Sequence, residues 1–410
     1  MHILFLTDNF PPEVNAPASR TFEHCREWVT AGHRVTVITC APNFPAGKVF
    51  EGYRNKLWQC EDMDGIRVIR VWTYITANEG FARRTLDFLS YMVMATVASL
   101  FVRRADIIVA TSPQFFTAVA GYMAGVLKRR PWVFELRDIW PESIRAVGAM
   151  KDSRILDWLE RLELFLYRKA AGIVSVTEAF RTNLAARGIA QDKIAVITNG
   201  ADTARLSPIA KDAELMEKLG LQGKFISGYI GTHGMAHALE TLLEAAAILQ
   251  KRDLRHKLLM IGGGARQEIL KAKARQMGLD NVIFTGMVPK EEIARYWSLL
   301  DVAIIHLKKE PLFTTVIPSK MFEAMALGIP ILMGVDGEAR QIVERHGCGV
   351  FFEPENPRAL VDALEDMKAS PERMKGMRLA GRRAALNYDR KRLALRMLAL
   401  LRDIASGQAS

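Results

Sequence analysis

The chain alternates short, continuous apolar runs with longer segments in which apolar residues recur every three or four positions. In the first half, the short runs are rich in Ile, Val and Leu, which is typical of strands buried on both faces of a parallel sheet. These predicted strands cover residues 2–7, 34–40, 66–72, 106–112, 131–136, 172–177 and 193–200. Most of the segments between them carry the helical period, so the first half predicts a doubly wound α/β domain.

The second half starts the same alternation again. Its predicted strands cover residues 225–231, 257–264, 282–288, 302–307, 329–334 and 349–354. Helical patterns follow these strands at about 236–250, 266–277, 290–299, 319–327, 336–346 and 357–368. The chain therefore predicts an α/β fold of two Rossmann-like, doubly wound domains.

The length of 410 residues agrees with two domains, because a single core seldom grows beyond about 250–300 residues. We predict a first domain over 1–205, a second over 206–385, and a C-terminal helix at 386–410 that returns to the first domain. The segment SPIAKDAEL, after Asn199-Gly200, is the predicted linker. Ligands of open parallel sheets bind beyond the carboxyl ends of the strands, so the cleft between the domains is the predicted site.

The net charge of +11 predicts attraction to something anionic, such as phosphate, a lipid surface or nucleic acid. Much of the excess positive charge lies between Lys368 and Arg402, a segment with eleven basic residues and two acidic ones. A general basicity with no specific partner is the alternative interpretation. No nucleic-acid recognition motif or aromatic stacking platform is visible, so nucleic acid is not an expected partner.

The apolar segment 88–102 has no charged residue and is flanked by Arg83-Arg84 and Arg103-Arg104. It is shorter than the stretch of about 20 apolar residues that a spanning helix needs. Two interpretations remain open at this point. The helix could lie on a bilayer with its arginines at the lipid headgroups, or it could pack on the sheet of the first domain.

The sequence predicts neither a disulfide framework nor a metal site. Its four cysteines have no C-x-x-C spacing, which agrees with a reducing cytoplasm. The short apolar run at the N-terminus predicts a first strand rather than a signal peptide. Asp62-Met-Asp64 lies in a predicted hairpin turn. His233 and His237 are four residues apart without a third ligand, so zinc is not expected.

The segment PSKMFEAMALGIP at 318–330 predicts a short helix after an irregular loop. Ser319 is the predicted N-cap and Gly328 the C-terminal stop. The N-terminus of such a helix attracts phosphate, and Lys320 adds a full charge there. The carboxylate of Glu323, one turn in, can accept two hydrogen bonds from the hydroxyls of a ribose. The alternative interpretation of Glu323 is a favourable interaction with the helix dipole.

Two glycine-rich turns follow strands of the second domain, GYIGTHG at 228–234 and IGGGAR at 261–266. Glycines at such turns let the backbone approach a diphosphate closely. The spacing does not match the dinucleotide fingerprint G-x-G-x-x-G. Together with the helix at 319, these turns make three anion-binding helix starts in one domain.

These motifs resemble the retaining nucleotide-sugar glycosyltransferases of family 4, which have the GT-B architecture of two Rossmann-like domains facing across a cleft. The similarity in the second half rests on GYIGTHG, LLMIGGG, VIFTGMVP and above all SKMFEAMALGIPIL. In the first half it rests on TDNFPPEVNAPASR, AGHRVTVIT, PNFPAGKVFEGYRNK, ELRDIWPES and ITNGAD. Several of these segments resemble the branch that contains N-acetylfucosamine transferases of O-antigen and capsule synthesis.

The resemblance implies a first domain that binds the acceptor and a second that binds the nucleotide sugar. Glu323 matches the second glutamate of the family's E-x7-E motif, which holds the ribose of the donor. Ser319 and Lys320 match positions beside the diphosphate. Gly231 and Thr232 match the glycine turn that faces the phosphates.

Further donor-binding positions are expected in both domains. Val288 matches a position whose backbone reads the base, and Gly263 lies in the second glycine turn. Asn15 and Ala16 fall where many members have Gly-Gly, in the loop that faces the donor from the first domain. Many members also have an Arg and a Lys after the first strand of the second domain. The chain has THGMAHA there, so Arg266 and the lysine at 320 are expected to supply the charge.

Other departures affect the catalytic residues. The first glutamate of E-x7-E falls on Thr315, which leaves the donor sugar undetermined. The histidine that many members have before an aspartate in the first domain is Arg137, followed by Asp138. We predict catalytic roles for Asp138 and Lys320. The alternative for Asp138 is a capping or turn residue before Pro141.

The resemblance implies retaining transfer of a hexose, N-acetylated or deoxy, from a UDP-sugar to a polyprenyl-diphosphate-linked saccharide. This places the expected activity in bacterial surface polysaccharide synthesis, without a cofactor or metal. The expected partners are the nucleotide sugar, the lipid-linked acceptor and an anionic membrane surface. The expected location is cytoplasmic, on the inner face of the inner membrane. The alternatives are a nucleotide-sugar epimerase of the same fold and a non-catalytic module that binds nucleotide sugar or lipid.

Overall fold

The structure, a computed structural model, describes residues 1–44, 46–76, 81–139, 154–252 and 255–407. The chain forms two compact units. The first comprises Met1–Thr198 and Arg390–Ser410, and the second comprises Asn199–Asp389.

The first unit is built on a mainly parallel eight-stranded sheet, in which most strands other than β3 at the edge are buried. Its strands are β1 (His2–Leu6), β2 (Arg34–Cys40), β3 (Trp58–Met63), β4 (Ile66–Val71), β5 (Ile107–Thr111), β6 (Trp132–Leu136), β7 (Gly172–Ser175) and β8 (Ile194–Val196). Its helices before the boundary are α1 (Ala16–Thr30), α2 (Phe81–Leu100), α3 (Phe115–Lys128), α4 (Arg154–Lys169) and α5 (Glu178–Ala186). The strand order is β3-β4-β2-β1-β5-β6-β7-β8, and only the β3–β4 pair is antiparallel among the described strands.

The second unit contains a six-stranded sheet in the order β11-β10-β9-β12-β13-β14, with parallel pairing throughout. The strands are β9 (Phe225–Ile230), β10 (His256–Ile261), β11 (Val282–Gly286), β12 (Val302–His306), β13 (Ile331–Gly334) and β14 (Gly349–Phe351). The helices are α6 (Ala213–Lys218), α7 (Glu240–Arg252), α8 (Gln267–Gln276), α9 (Ile293–Ser298), α10 (Lys320–Leu327), α11 (Glu338–His346), α12 (Pro357–Ala369) and α13 (Pro371–Ala385). The order reverses between β9 and β12, which is the topological switch point where doubly wound sheets bind ligands.

The strands predicted in both halves form, most of them shorter at one or both ends, and the α/β fold of two Rossmann-like sheets is confirmed. The strand β3 was not predicted, because its alternation of exposed and half-buried residues gives no continuous apolar run. The hairpin turn between β3 and β4 is confirmed. The Asp62 carboxylate accepts a hydrogen bond from the N–H of Gly65 at 3.0 Å, and Asp64 has a φ of 53°.

The last helix, α14 (Arg390–Ala405), packs against α1 in the first unit. The indole N–H of Trp28 donates to the carbonyl of Ala394 at 2.8 Å. Arg390 forms an ion pair of 2.6 Å with Glu23 on α1. Most apolar residues of α14 are buried, with Leu395 an exception at 40% exposed, so this basic helix presents mainly its charged residues to solvent.

The arginine-flanked apolar segment lies within α2, which packs on the sheet with one side only. Tyr91, Ala95 and Ala98 are buried, and the Tyr91 hydroxyl donates to the carbonyl of Ile38 at 2.8 Å. Val93 and Val97 on the other side are about half exposed, at 53% and 45%. None of the helices in the described residues is long and apolar enough to span a membrane.

Candidate functional site

The candidate site in the second unit lies at the switch point of its sheet. The glycine turn at Gly231 directly follows β9, and the turn at Gly262 directly follows β10. From β12 the chain passes through a short 3-10 turn, Pro311–Thr315, into α10. The hydroxyl of Thr315, at the position of the missing glutamate, donates to the carbonyl of Leu312 at 2.7 Å.

The two glycine turns are hydrogen-bonded to each other. The N–H of His233 donates to the carbonyl of Gly263 at 2.8 Å, and the N–H of Arg266 donates to the carbonyl of His233 at 2.9 Å. Gly262 has a φ of 126°, and a Cβ there would lie 2.0 Å from the carbonyl oxygen of Gly231. Gly262 is therefore required by the packing of one turn on the other, whether or not a phosphate binds nearby.

Gly231 has a different neighbour. Its φ is 141°, and a Cβ at this position would lie 2.8 Å from Nζ of Lys320. The absence of a side chain therefore leaves space for the ammonium group of Lys320 directly beneath the turn. The structure thus brings together two of the predicted residues, Gly231 and Lys320.

Nζ of Lys320 is buried and has no hydrogen-bond acceptor among the described residues. It lies 3.7 Å from the centroid of the Tyr229 ring, a cation–π distance. Burial lowers the pKa of Lys320 to about 7, although the carboxylate of Glu323 opposes this shift. An ammonium group with three donors and no acceptor is a strong candidate for binding an anion.

Ser319 stands at the N-cap position of α10, but the prediction that its side chain caps the helix is wrong. Its backbone is already helical, with φ −58° and ψ −32°, and its hydroxyl makes no capping bond. Within the described part of the chain, the N–H groups of Ser319 and Lys320 have no hydrogen-bond partner. The start of α10 therefore presents two N–H donors close to the Lys320 ammonium group, with Glu323 one turn further along.

The remaining predicted residues of this unit lie around the same turns with different contacts. The guanidinium of Arg266 is paired with Glu240, so its charge is already matched by a carboxylate. The carbonyl of Thr232 accepts a hydrogen bond from the Tyr229 hydroxyl at 2.9 Å. Val288 follows β11 and packs against the core of the unit.

Three histidines that the sequence did not connect with Lys320 lie close to it. His306 donates from Nδ1 to the carbonyl of His237 at 2.8 Å and accepts from the N–H of Glu355 on Nε2 at 3.0 Å, so its ring is neutral. Burial, and then the charge of Lys320, lower the pKa of both His233 and His237 to about 4. The ammonium group of Lys320 therefore lies among neutral imidazoles.

The described residues contain no group of three or more His, Cys, Asp or Glu side chains placed to hold a metal ion. The rings of His233 and His237 contact the ring of Tyr229, with centroids 6.0 Å and 5.8 Å away.

The predicted residues of the first unit lie at the carboxyl ends of its strands. The N–H groups of Arg137 and Asp138, directly after β6, both donate to the Ser112 hydroxyl, at 2.7 Å and 3.2 Å. Asn15 caps α1, since its side-chain oxygen accepts from the N–H of Ala18 at 2.9 Å. Ala16 is exposed at the start of α1. The segment that follows, Trp140 to Ser143 of the motif, lies outside the described residues.

A buried polar network is centred on Glu135 of β6, three residues before Asp138. Arg20 donates from Nε to Glu135 at 2.9 Å and from its other nitrogens to the carbonyls of Ile197 and Thr198. Burial lowers the pKa of Arg137 to about 10, while the charge of Glu135 opposes this. One guanidinium nitrogen of Arg137 is buried without a hydrogen-bond partner in the described chain. Sequence reasoning missed Arg20 and Glu135, because a charged residue inside a helix or strand is ordinarily exposed.

Two family models match the chain in succession. The glycosyl transferase 4-like domain matches residues 15–200, and the glycosyl transferases group 1 domain matches residues 211–384. Together they cover most of both units.

Two relatives are informative. The putative colanic acid biosynthesis glycosyl transferase WcaI of Escherichia coli is 26% identical over 91% of this chain and 93% of its own length. The probable glycosyltransferase WbjE of Pseudomonas aeruginosa is 25% identical over 65% of this chain and 66% of its own length.

Solved structures share the fold over nearly the whole chain. Sucrose-phosphate synthase from Thermosynechococcus elongatus has a TM-score of 0.80, with 17% identity and 99% coverage of each chain. Anabaena HepE in complex with UDP has a TM-score of 0.73, with 18% identity over 98% of this chain and all of that one. The fold and the family models together define a glycosyltransferase of the GT-B fold. The chain belongs to the retaining glycosyltransferases of family 4, with both of the family's domains present.

Proposed function

We propose that the protein transfers a hexose from a UDP-sugar to a polyprenyl-diphosphate-linked saccharide, with retention of the anomeric configuration, in bacterial surface polysaccharide synthesis. The observation that carries this proposal is the buried ammonium group of Lys320. It has no hydrogen-bond acceptor in the described residues, and it lies beneath the Gly231 turn at the start of α10. A diphosphate would supply the missing acceptors.

The chemistry follows from the charge that develops on the leaving diphosphate as the glycosidic bond breaks. The ammonium of Lys320 and the N–H groups at the start of α10, which have no partner among the described residues, are fixed before reaction, so they stabilise this charge without reorganisation. Only an interaction that is stronger in the transition state than in the ground state raises the rate, and growing charge on phosphate meets that condition. Lys320 is therefore the proposed catalytic residue of the second unit.

The same hypothesis assigns roles to the other predicted residues of the nucleotide-sugar site. Glu323 would hold the ribose, and the backbone of Val288 would read the base. The phosphates would lie against Gly231, Thr232, Gly263 and Ser319. From the first unit, Asn15 and Ala16 would face the donor and Asp138 would act in catalysis. Arg266, which is paired with Glu240, would add a further positive charge beside the phosphates.

The names of similar proteins support the substrate classes. One relative is named for colanic acid biosynthesis and another for teichuronic acid biosynthesis, and both of these products are surface polysaccharides. HepE was crystallised with UDP and with UDP-glucose, which supports uridine as the base. The first-half motifs favour the N-acetylfucosamine transferase branch, so an N-acetylated or deoxy hexose is the first sugar to test.

A lipid-linked acceptor requires contact with a membrane, and we propose that α2 and α3 provide it on the cytoplasmic side of the inner membrane. Exposed apolar side chains share one side of α2 and continue past its end; they are Leu86 (55% exposed), Val93, Val97, Leu100 and Phe101 (67%). Phe101 makes an edge contact with the half-exposed Trp58, with ring centroids 5.9 Å apart. Apolar and aromatic side chains of this kind can enter the headgroup region of a bilayer.

Exposed arginines adjoin this apolar surface. Lys128 at the end of α3 donates from Nζ to the carbonyl of Val102 at 2.7 Å, which joins the ends of the two helices. Arg103 and Arg104 follow one helix, and the exposed Arg129 and Arg130 follow the other. Each basic residue near an anionic surface contributes about 1 kcal/mol to binding. The combination of arginines with apolar residues favours an anionic bilayer over nucleic acid.

The membrane proposal is tested by flotation with vesicles of phosphatidylglycerol and phosphatidylethanolamine. The wild-type protein should float with these vesicles and not with phosphatidylcholine vesicles. The double variant Leu100→Ser/Phe101→Ser should lose flotation. The control Leu379→Ser, at an exposed leucine of the second unit, should keep it. Equal flotation of the double variant and the wild type would show that this surface does not bind lipid.

The activity is tested by following UDP release from a panel of UDP-sugars, with and without a lipid-diphosphate N-acetylhexosamine acceptor. Release that depends on the acceptor would establish transfer and identify the donor. Isomerisation of a donor without release would support the epimerase alternative. Binding of UDP without turnover of any donor would support a module that only binds.

A further inference from the structure

The ammonium group of Lys320 is held by an aromatic ring rather than by hydrogen bonds. Nζ lies 3.7 Å from the centroid of the Tyr229 ring, and no carboxylate, carbonyl or hydroxyl of the described residues accepts from it. The ring face carries partial negative charge, so it attracts a cation without occupying the donors of that cation. All three N–H donors of Lys320 therefore remain available.

The ring itself is held in a fixed orientation. Its hydroxyl donates to the carbonyl of Thr232 at 2.9 Å, in the turn that the ammonium group lies beneath. The rings of His233 and His237 contact it, and the Tyr229 side chain is fully buried. Tyr229 thus connects the glycine turn to the lysine at the start of α10.

From this arrangement we propose that Tyr229 is a positioning residue, whose ring holds the Lys320 ammonium group in place to bind the phosphates of a nucleoside diphosphate. The identity of the ligand rests on the proposed function, whereas the positioning is a property of the protein without ligand. The ring stabilises the cation before binding, and the diphosphate then supplies the hydrogen-bond acceptors.

The charged and titratable groups around Lys320 are consistent with this role. Glu323 on its own helix is the acidic group that acts on it, through its charge. The imidazole of His233 lies in the turn after β9, that of His237 in the short 3-10 segment Met235–His237, and that of His306 at the end of β12. Burial holds the pKa of each below its usual value. These neutral rings do not compete with Lys320 for an anion.

The positioning is tested without ligand by proton NMR of the lysine side chain. Protons above the face of an aromatic ring resonate upfield, so the Hε signals of Lys320 should be shifted upfield in the wild type. Their assignment comes from their loss in Lys320→Met. The variant Tyr229→Phe keeps the ring and should keep the shift, whereas Tyr229→Leu should lose it. An unshifted Lys320 signal in the wild type would overturn the proposal.

The functional consequence is tested by calorimetric titration with UDP. Tyr229→Leu should weaken UDP binding about tenfold, within the range of a desolvated cation–π interaction, and Tyr229→Phe should stay within about twofold of wild type. Equal affinity of the leucine variant and the wild type would contradict the role. So would equal losses in both variants, because the hydroxyl bond to Thr232 would then be the important feature. An upfield Lys320 signal in a protein that binds no UDP would refute the proposed function and leave the positioning intact.

Discussion

Replacing Lys320 by methionine should make the protein more stable while it removes UDP binding. Methionine keeps an unbranched apolar stem of similar length and can stay against the Tyr229 ring. The change removes a buried ammonium group that has no hydrogen-bond acceptor in the described residues. Such a group destabilises the folded state. Its presence is explained by anion binding rather than by a contribution to stability.

The size of the expected gain in the free energy of unfolding follows from the pKa of Lys320, which burial lowers from 10.5 to about 7. Between these values the unfolded chain binds the proton and the folded protein does not, so the wild-type stability should rise with pH over this window. Below pH 7 Lys320 is charged in the folded protein as well, so the folded state carries the full free-energy cost of burying this charge. The pKa difference, at about 1.4 kcal/mol per pH unit, sets an upper limit of about 5 kcal/mol. Because neighbouring groups relax, we expect a measured gain of about 1–3 kcal/mol.

The assay is urea unfolding of the wild type and Lys320→Met at several pH values between 6 and 10. The variant should be more stable at pH 6, and the difference should shrink as the pH approaches 10. The control Lys375→Met, at a side chain that is 71% exposed on α13, should change stability little at any pH. A Lys320→Met variant that is no more stable than wild type at pH 6, or a difference independent of pH, would refute the reasoning.

Three further changes test other contacts of the site. Gly262→Ala should destabilise the protein by about 2–4 kcal/mol in urea unfolding, because its Cβ would meet the carbonyl of Gly231, whereas Gly376→Ala has open space and should be neutral or stabilising. Glu323→Gln should weaken UDP binding about tenfold in calorimetry and affect inorganic diphosphate binding much less, because the carboxylate is assigned to the ribose and acts on Lys320 only through its charge. Lys320→Ala should lower steady-state turnover at least about tenfold, and unchanged kinetics would exclude its catalytic role.

The fold could be predicted largely from the sequence, because strands buried in a parallel sheet are recognisable as continuous runs of apolar residues. Strands such as β1 and β5, with every residue buried, are examples. The edge strand β3 was missed, since its pairing with β4 stabilises it without an apolar run. The two interpretations of the segment at 88–102 also could not be separated, because the choice depends on which side of α2 faces the sheet.

The candidate site was predicted less completely, because its properties depend on burial and on contacts between distant residues. Lys320 and Gly231 could be selected from their motifs, but their contact joins two segments about ninety residues apart in the chain. Tyr229 looks like any buried aromatic residue of a strand. Ser319 has the residue type of an N-cap, yet its helical backbone conformation prevents the capping bond. The ion pair between Arg266 and Glu240 could not be predicted either, because the two residues lie on different helices or turns of the unit.

The glycines illustrate why a glycine-rich turn alone is weak evidence for phosphate. Gly262 is required where one turn packs on the backbone of another, and that requirement would hold in a protein with no ligand. Gly231 is different, because the space it leaves is taken by the end of a lysine side chain that has no acceptor of its own in the described chain. A packing role does not explain a buried cation in that position, since an apolar side chain would be more stable there. The anion-binding interpretation of the second unit therefore rests on the lysine beneath the turn and not on the number of glycines in it.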